Sequence, residues 1–260
     1  MSAILTADAV SIRFGGLQAL GDVSFAMEQG SICAIIGPNG AGKTTLFNCL
    51  TGFYRPTSGN IRFQSNGATH ALEKLPIHKI ARLGVSRTYQ NIRLFGEMTA
   101  LENLLVAQHT FVNHHLLSGI FKTAGFRKSE AEAQEKAWYW LKFMGLESAA
   151  NMEAGNLPYG SQRKLEVARA MAARPTLICL DEPAAGLGEQ ETHELNDTIR
   201  RLRDEHQVSV LLIEHHMSVV MQISDQVVVL DHGEVISRGT PAEVQKDDKV
   251  IKAYLGEEGE

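Results

Sequence analysis

The stretch from Gly37 to Thr45 reads Gly-Pro-Asn-Gly-Ala-Gly-Lys-Thr-Thr and satisfies the pattern G-x-x-x-x-G-K-[ST]. Such a loop works only between a strand and a helix. Its glycines let successive backbone N–H groups turn into one concavity, and the helix that follows aims its positive end at that hollow. The flanks comply: residues 31–36 are a short apolar, β-branched run that reads as a strand, and Lys43–Leu50 reads as the opening of a helix. A glycine turn matching by chance would not need either flank. The group that suits the hollow is a nucleotide phosphate. The backbone of Gly37, Pro38, Asn39, Gly40, Ala41, Gly42, Lys43, Thr44 and Thr45 would hold it, the Lys43 ammonium can reach β- and γ-phosphates, and the Thr44 hydroxyl can ligate Mg²⁺.

Around this loop the pattern is that of an α/β protein. Residues 4–25 alternate apolar and polar about Gly15-Gly16, which predicts an antiparallel pair of strands. A strand at 60–64, a short helix at 76–83 with Pro76 in its first position, and a strand at 85–89 follow. From residue 157 onward helices are expected at 161–173, 189–206 and 216–223, with apolar strands at 176–180, 208–213 and 226–230 between them. Continuous apolar strands separated by helices indicate a parallel sheet covered on both faces. The middle of the chain is helical instead. Thr99 with Glu102 forms a capping box before a helix at 99–112, and residues 127–144 are amphipathic with Trp138, Tyr139, Trp140 and Phe143 expected to pack a helical lobe. His114-His115, between these helices, reads as a solvated loop and not a metal site, because adjacent histidines cannot face one ion from a helix or strand. Domain bounds follow: a core with its antiparallel part at 1–90 and 174–240, a helical lobe at 91–173, and a tail at 241–260.

The formal net charge of −5 offers no bulk field for nucleic acid, and no partner of that kind is expected. No apolar run approaches the roughly 20 residues that span a bilayer, and the start lacks the basic and apolar regions of a secretory signal. Cys33, Cys49 and Cys179 sit in apolar patterns without ligand spacing, so buried reduced thiols are expected.

Two further strand ends carry chemistry. The run Leu177-Ile-Cys-Leu-Asp181-Glu182-Pro183 is an apolar strand ending in two carboxylates. Two acids after a strand are often a solvated turn. Downstream of a phosphate loop, Asp181 suits the Mg²⁺ side and Glu182 could orient and deprotonate a water. The run Leu211-Leu-Ile-Glu-His215 ends a third buried strand in a histidine at the same sheet edge, where open α/β sheets bind ligands. Phe14, in Ile-Arg-Phe-Gly-Gly-Leu, reads on composition as core.

Together these motifs resemble the ATP-binding subunits of ABC transporters over nearly the whole chain. Lys43 and Thr44 match Walker A, Asp181 the Walker B aspartate, and Glu182 the catalytic glutamate. Gln90, in Arg-Thr-Tyr-Gln-Asn-Ile, resembles the Q-loop glutamine, and His215 the switch histidine. Phe14 falls where the family stacks an aromatic on adenine. The run Leu157-Pro-Tyr-Gly-Ser-Gln corresponds to the signature that begins Leu-Ser-Gly-Gly-Gln, with Pro158, Tyr159 and Ser161 departing from it. Proline has neither hydroxyl nor N–H, so Gly160 and Ser161 at the helix start would have to meet the γ-phosphate. Gly188 stands where the next loop usually carries aspartate. These departures, the Gly15-Gly16-Leu-Gln-Ala-Leu start and the Gly239-Thr-Pro-Ala-Glu-Val tail are similar to the LivG-type branch that serves importers of branched-chain amino acids.

The resemblance implies an α/β P-loop ABC ATPase fold: a mixed, largely parallel core sheet, an antiparallel β subdomain and an inserted α-helical subdomain. It implies ATP and Mg²⁺ as ligands, with Thr44, Gln90 and Asp181 on the metal and Glu182, His215 and Gln90 in catalysis. Its partners would be two membrane-spanning permease subunits, a second ATP-binding subunit (a paralogue or the same chain) and, indirectly, a periplasmic or extracellular substrate-binding protein. The place implied is the cytoplasmic face of the bacterial inner membrane. Lipid or lipopolysaccharide export is an alternative for similar ATPases. A soluble ABC ATPase of DNA repair or translation would need tandem cassettes, zinc modules, coiled coils or a basic face, and a non-hydrolysing scaffold would not need the intact Lys43, Asp181, Glu182 and His215.

Overall fold

The computed structural model describes residues 3–109 and 124–255. His114-His115, residues 110–112 of the expected helix and the acidic end at 256–260 lie outside the described residues. In chain order, β1 (Ala3–Phe14), β2 (Leu17–Glu28), β3 (Ile32–Ile36) and α1 (Lys43–Leu50) come first, then β4 (Ser58–Ser65), β5 (Ala68–Ala71), α2 (Ile77–Arg82) and β6 (Val85–Arg87). The helices α3 (Ala100–Ala107), α4 (Ala124–Phe143) and α5 (Tyr159–Ala172) follow. Then come β7 (Leu177–Asp181), α6 (Glu189–His206), β8 (Ser209–Ile213), α7 (Met217–Ile223), β9 (Gln226–Asp231), β10 (Glu234–Gly239), α8 (Pro241–Val244) and α9 (Asp248–Leu255). They divide into two compact units, residues 1–90 with 176–260, and residues 91–175.

The first unit holds two sheets. One is antiparallel in the order β2-β1-β4-β5; the other runs β10-β9-β3-β8-β7-β6 and is parallel except for its β10 edge. In β3, β7 and β8 every residue is buried, because a parallel strand between helices has no solvent face to leave polar. In β1 and β2 the exposure alternates, as expected for a sheet with one solvated side. Phe47, Leu46, Ile35, Phe63 and Leu211 belong to one continuous core, so the phosphate-loop helix is anchored in the same apolar mass as both sheets. Cys33, Cys49 and Cys179 are buried free thiols. Burial pushes each of them up to about 12.

The second unit is helical. Thr99 Oγ1 accepts the Glu102 N–H at 3.2 Å while the Glu102 carboxylate accepts the Thr99 N–H at 2.8 Å, so α3 starts where the sequence predicts. Trp140 and Phe143 are buried, whereas Trp138 and Tyr139 on the same helix are exposed. Four aromatics within six consecutive residues cannot share one face of a helix with 3.6 residues per turn, and only Trp140 and Phe143 turn inward.

Proline moves two helix starts away from the sequence reading. Pro76 is extended (φ −74°, ψ 154°) and precedes α2 as its cap instead of filling its first position. The helix α5 begins at Tyr159 and not Ser161, because Pro158, at φ −54° and ψ 149°, already serves as the cap. The short edge strands β5 and β10 have no counterpart in the sequence reading; both include polar residues and neither holds a buried residue.

Candidate functional site

Strand β3 delivers the chain to the phosphate loop, and the loop's shape demands glycine at two points. Gly37 has φ 149° and a Cβ there would overlap the Leu230 carbonyl of β9. Gly42, at φ 94°, caps α1, and a Cβ would come 2.8 Å from the Ala19 carbonyl and 2.9 Å from Leu20 Cδ2. The loop is therefore wedged between β9 and β2, with no room for a side chain on those sides. The helix α1 carries no acidic residue in its first turn and no side-chain cap, so its positive end is not offset by its own sequence. The buried Lys43 folds back, its Nζ donating to the carbonyls of Gly37 at 2.6 Å and Pro38 at 2.7 Å. A cationic group held over a ring of backbone N–H donors is a receptor for a polyanion.

Phe14, Leu17, residues 39–45, Glu182 and His232 line one hollow of about 610 Å³, within the range of small-molecule sites. Phe14 is 45% exposed at its wall, so the composition reading that placed it in the core does not hold. Its ring meets Tyr54 edge to face, with centroids 5.3 Å apart.

Asp181 and Glu182 part ways at the end of β7. Asp181 stays buried and pairs with Arg87, whose Nη2 lies 2.9 Å from Oδ2. Glu182 takes φ 46°, unusual for a residue with a side chain, and its N–H bonds to the Ile213 carbonyl at 3.0 Å. That turn sends the carboxylate to the hollow. Gln90 Nε2 donates to Glu182 Oε2 at 2.8 Å, and His215 Nδ1 lies 3.7 Å from Oε1, an ion-pair distance rather than a hydrogen bond. The in-register pairing of Asp181 with Ile213 on parallel β7 and β8 is what puts Glu182 and His215 side by side. Thr44, exposed, and Asp181, buried, offer the hard oxygen donors that suit Mg²⁺.

Sequence reasoning passed over two residues. Arg87 closes β6, bonds Asn48 Oδ1 at 2.6 Å and Thr51 Oγ1 at 3.0 Å on α1, and lies 4.6 Å from the Phe47 ring centroid and 5.0 Å from that of Phe53. Glu214, wholly buried, precedes His215. Glu214 carried a signal, a charged residue directly after the apolar run Val210–Ile213; Arg87, in a strand with one apolar residue, carried none.

Gly160 and Ser161 belong to the helical unit, in the first turn of α5. Gly160 is buried and Ser161 half-buried, while Pro158 and Tyr159 are exposed. Pro158 contributes no side-chain cap; its carbonyl accepts the Gln162 N–H at 2.9 Å. Gly188 caps α6, with its N–H bonded to the Glu191 carboxylate at 3.1 Å.

Comparison with known proteins bears on the same residues. The family model for the ABC transporter matches residues 20–185, and a model described as branched-chain amino acid ATP-binding cassette transporter matches residues 234–260. The chain is 54% identical over 254 residues to the high-affinity branched-chain amino acid transport ATP-binding protein BraF of Pseudomonas aeruginosa. It is 49% identical over 254 residues to LivG of Escherichia coli K12, and each match covers 98% of both chains. Among solved structures, the ADP conformation of an ATP-binding cassette of an ABC transporter aligns with a TM-score of 0.83 at 30% identity, covering 98% of this chain and 100% of that one. Since the matched span runs from within β2, through the phosphate loop and past Glu182, the chain belongs to the ATP-binding cassette family of ABC transporters.

Proposed function

We propose that this chain hydrolyses ATP to power the uptake of branched-chain amino acids through membrane-embedded partners. The observation that carries the hydrolytic part is Glu182, turned into the phosphate-loop hollow and held at 2.8 Å by Gln90. The transport part rests on the names of BraF and LivG, relatives over nearly the full length. Among the described residues no helix is long and apolar enough to cross a membrane, so the translocation path would belong to two permease subunits. The chain would sit on their cytoplasmic face. A second ATP-binding subunit, a paralogue or another copy, would present its Gly160–Ser161 helix start to this chain's nucleotide, and a substrate-binding protein outside would deliver the amino acid.

The residues divide the work by chemistry. Phe14 would stack on the base, and the N–H groups of residues 39–45 with Lys43 would hold the phosphates. Mg²⁺, held by Thr44 and Asp181 with Gln90 beside them, would supply charge neutralisation at the phosphate oxygens. With Glu182 Oε2 engaged by Gln90, Oε1 is the oxygen free to take a proton from water. His215, adjacent to that oxygen, would donate to the terminal phosphate and fix the direction of attack.

The test is reconstitution with the permease subunits in vesicles, measuring leucine uptake and ATP hydrolysis together. Both are expected, and both should stop in Glu182→Gln while nucleotide still binds. Hydrolysis coupled to lipid export and not to amino-acid uptake would overturn the substrate assignment.

A further inference from the structure

Glu214, the residue directly after β8, has no place in the hydrolytic chemistry above, and it is wholly buried. Its Oε1 accepts the Ala184 N–H at 3.0 Å, and its Oε2 accepts the N–H groups of His215 at 3.2 Å and His216 at 3.3 Å. Burying a carboxylate is costly unless its oxygens are bonded, and here both are engaged by backbone. The three amides belong to two different loops. Ala184 lies two residues beyond Glu182, after β7; His215 and His216 follow β8. The side chain thus ties together the two loops that carry Glu182 and His215, beyond the last β7–β8 pair at Asp181 and Ile213. The ligand atoms of Glu214, His215 and His216 also lie within 4.8 Å of one another, a spacing that could hold a metal ion. With both Glu214 oxygens already engaged by amides, the arrangement serves the backbone instead.

We infer that Glu214 is a positioning residue for hydrolysis, setting the 3.7 Å separation of Glu182 and His215 through their backbones. The inference rests on the hydrolytic reading of Glu182. It makes a specific demand: the Glu214 side chain bonds the loops after β7 and β8 and not the phosphate loop, so its loss should spare nucleotide affinity and slow turnover. In Glu214→Gln one carboxylate oxygen becomes an NH₂, which cannot accept, so one of the two loops loses its tie.

The experiment uses the full chain, within the reconstituted complex, and reads three quantities: kcat, KM for ATP, and hydrogen exchange at the amides of residues 184, 215 and 216. For Glu214→Gln we expect kcat to fall about 10- to 100-fold, as for an ångström-scale misplacement of catalytic groups. KM should stay within about twofold, by the same reasoning on uniform binding, and exchange should rise at those amides. Glu214→Asp, which keeps both acceptors on a shorter arm, should lose less kcat, and it carries the test if the glutamine variant does not fold. Unchanged kcat with raised exchange would overturn the inference, as would a rise in KM matching the fall in kcat. Wild-type chain that does not hydrolyse ATP would overturn the functional reading and this inference with it; hydrolysis undiminished in both variants overturns the inference alone.

Discussion

Arg87 Nη2 and Asp181 Oδ2 lie 2.9 Å apart, with both side chains nearly buried. The pair joins the end of β6 to the end of β7, and through Asn48 and Thr51 it also reaches α1. The carboxylate assigned to Mg²⁺ is therefore held by a cation of the same chain, packed against the rings of Phe47, Phe53 and Tyr89. Removing one partner of such a pair strands a buried charge. Arg87→Met should destabilise the chain by about 3–5 kcal/mol, measured by urea unfolding. The double variant Arg87→Met with Asp181→Asn should recover part of that loss; a double variant as unstable as the sum of the two singles would mean that the two groups do not interact.

Glu182→Gln should slow hydrolysis roughly 10²–10⁴-fold, about 3–5 kcal/mol of barrier, because the amide cannot take the proton. Nucleotide binding should persist, since the phosphate loop is unaltered. Single-turnover hydrolysis and equilibrium binding of a fluorescent nucleotide analogue separate the two effects, and near-normal turnover would remove Glu182 from the role.

Phe14→Ala should raise the KM for ATP several-fold, in keeping with about 1–3 kcal/mol for an aromatic–base stack, with kcat little changed. Tyr54→Ala should act in the same direction and less strongly, because Tyr54 packs on Phe14 and is not part of the lining of the hollow. An unchanged KM in Phe14→Ala would reduce its ring to a surface contact.

Gly37→Ala places a methyl on the Leu230 carbonyl and adds about 1–3 kcal/mol of backbone strain. Loss of nucleotide binding together with a lowered Tm is the expected result. Gly40→Ala is the contrast, since nothing lies within 4 Å of a Cβ at that position and only its positive φ opposes the change.

The cysteines give a pH dependence with a defined sign. Each thiol has its pKa raised by burial from 9.0 to about 12, so the folded state keeps protons that the unfolded chain loses first. Their contribution to stability is full below pH 9 and is lost as pH climbs from there toward 12. Folded chain should resist a thiol reagent at pH 8, and labelling should follow unfolding; rapid labelling of native chain would contradict this.

The phosphate loop, the strand–loop–helix that carries it, and the strand ends at Asp181, Glu182 and His215 were legible because each is a local pattern: glycines where the backbone must bend, and charge where an apolar run stops. The parallel sheet was legible for the same reason, since β3, β7 and β8 are buried on both faces and read as unbroken apolar runs. Which residues meet depends on tertiary pairing. Arg87 finds Asp181 across 94 positions of sequence and Glu214 finds Ala184 across 30, through strand register that no local window contains. Phe14 read as core because a lone aromatic in an apolar stretch is ambiguous, and its exposure depends on where the β1–β2 hairpin ends relative to the phosphate loop. The edge strands β5 and β10 escaped notice because a strand paired on one side only needs no apolar run to mark it. Chemistry was written in short stretches, and geometry in the pairing of distant ones.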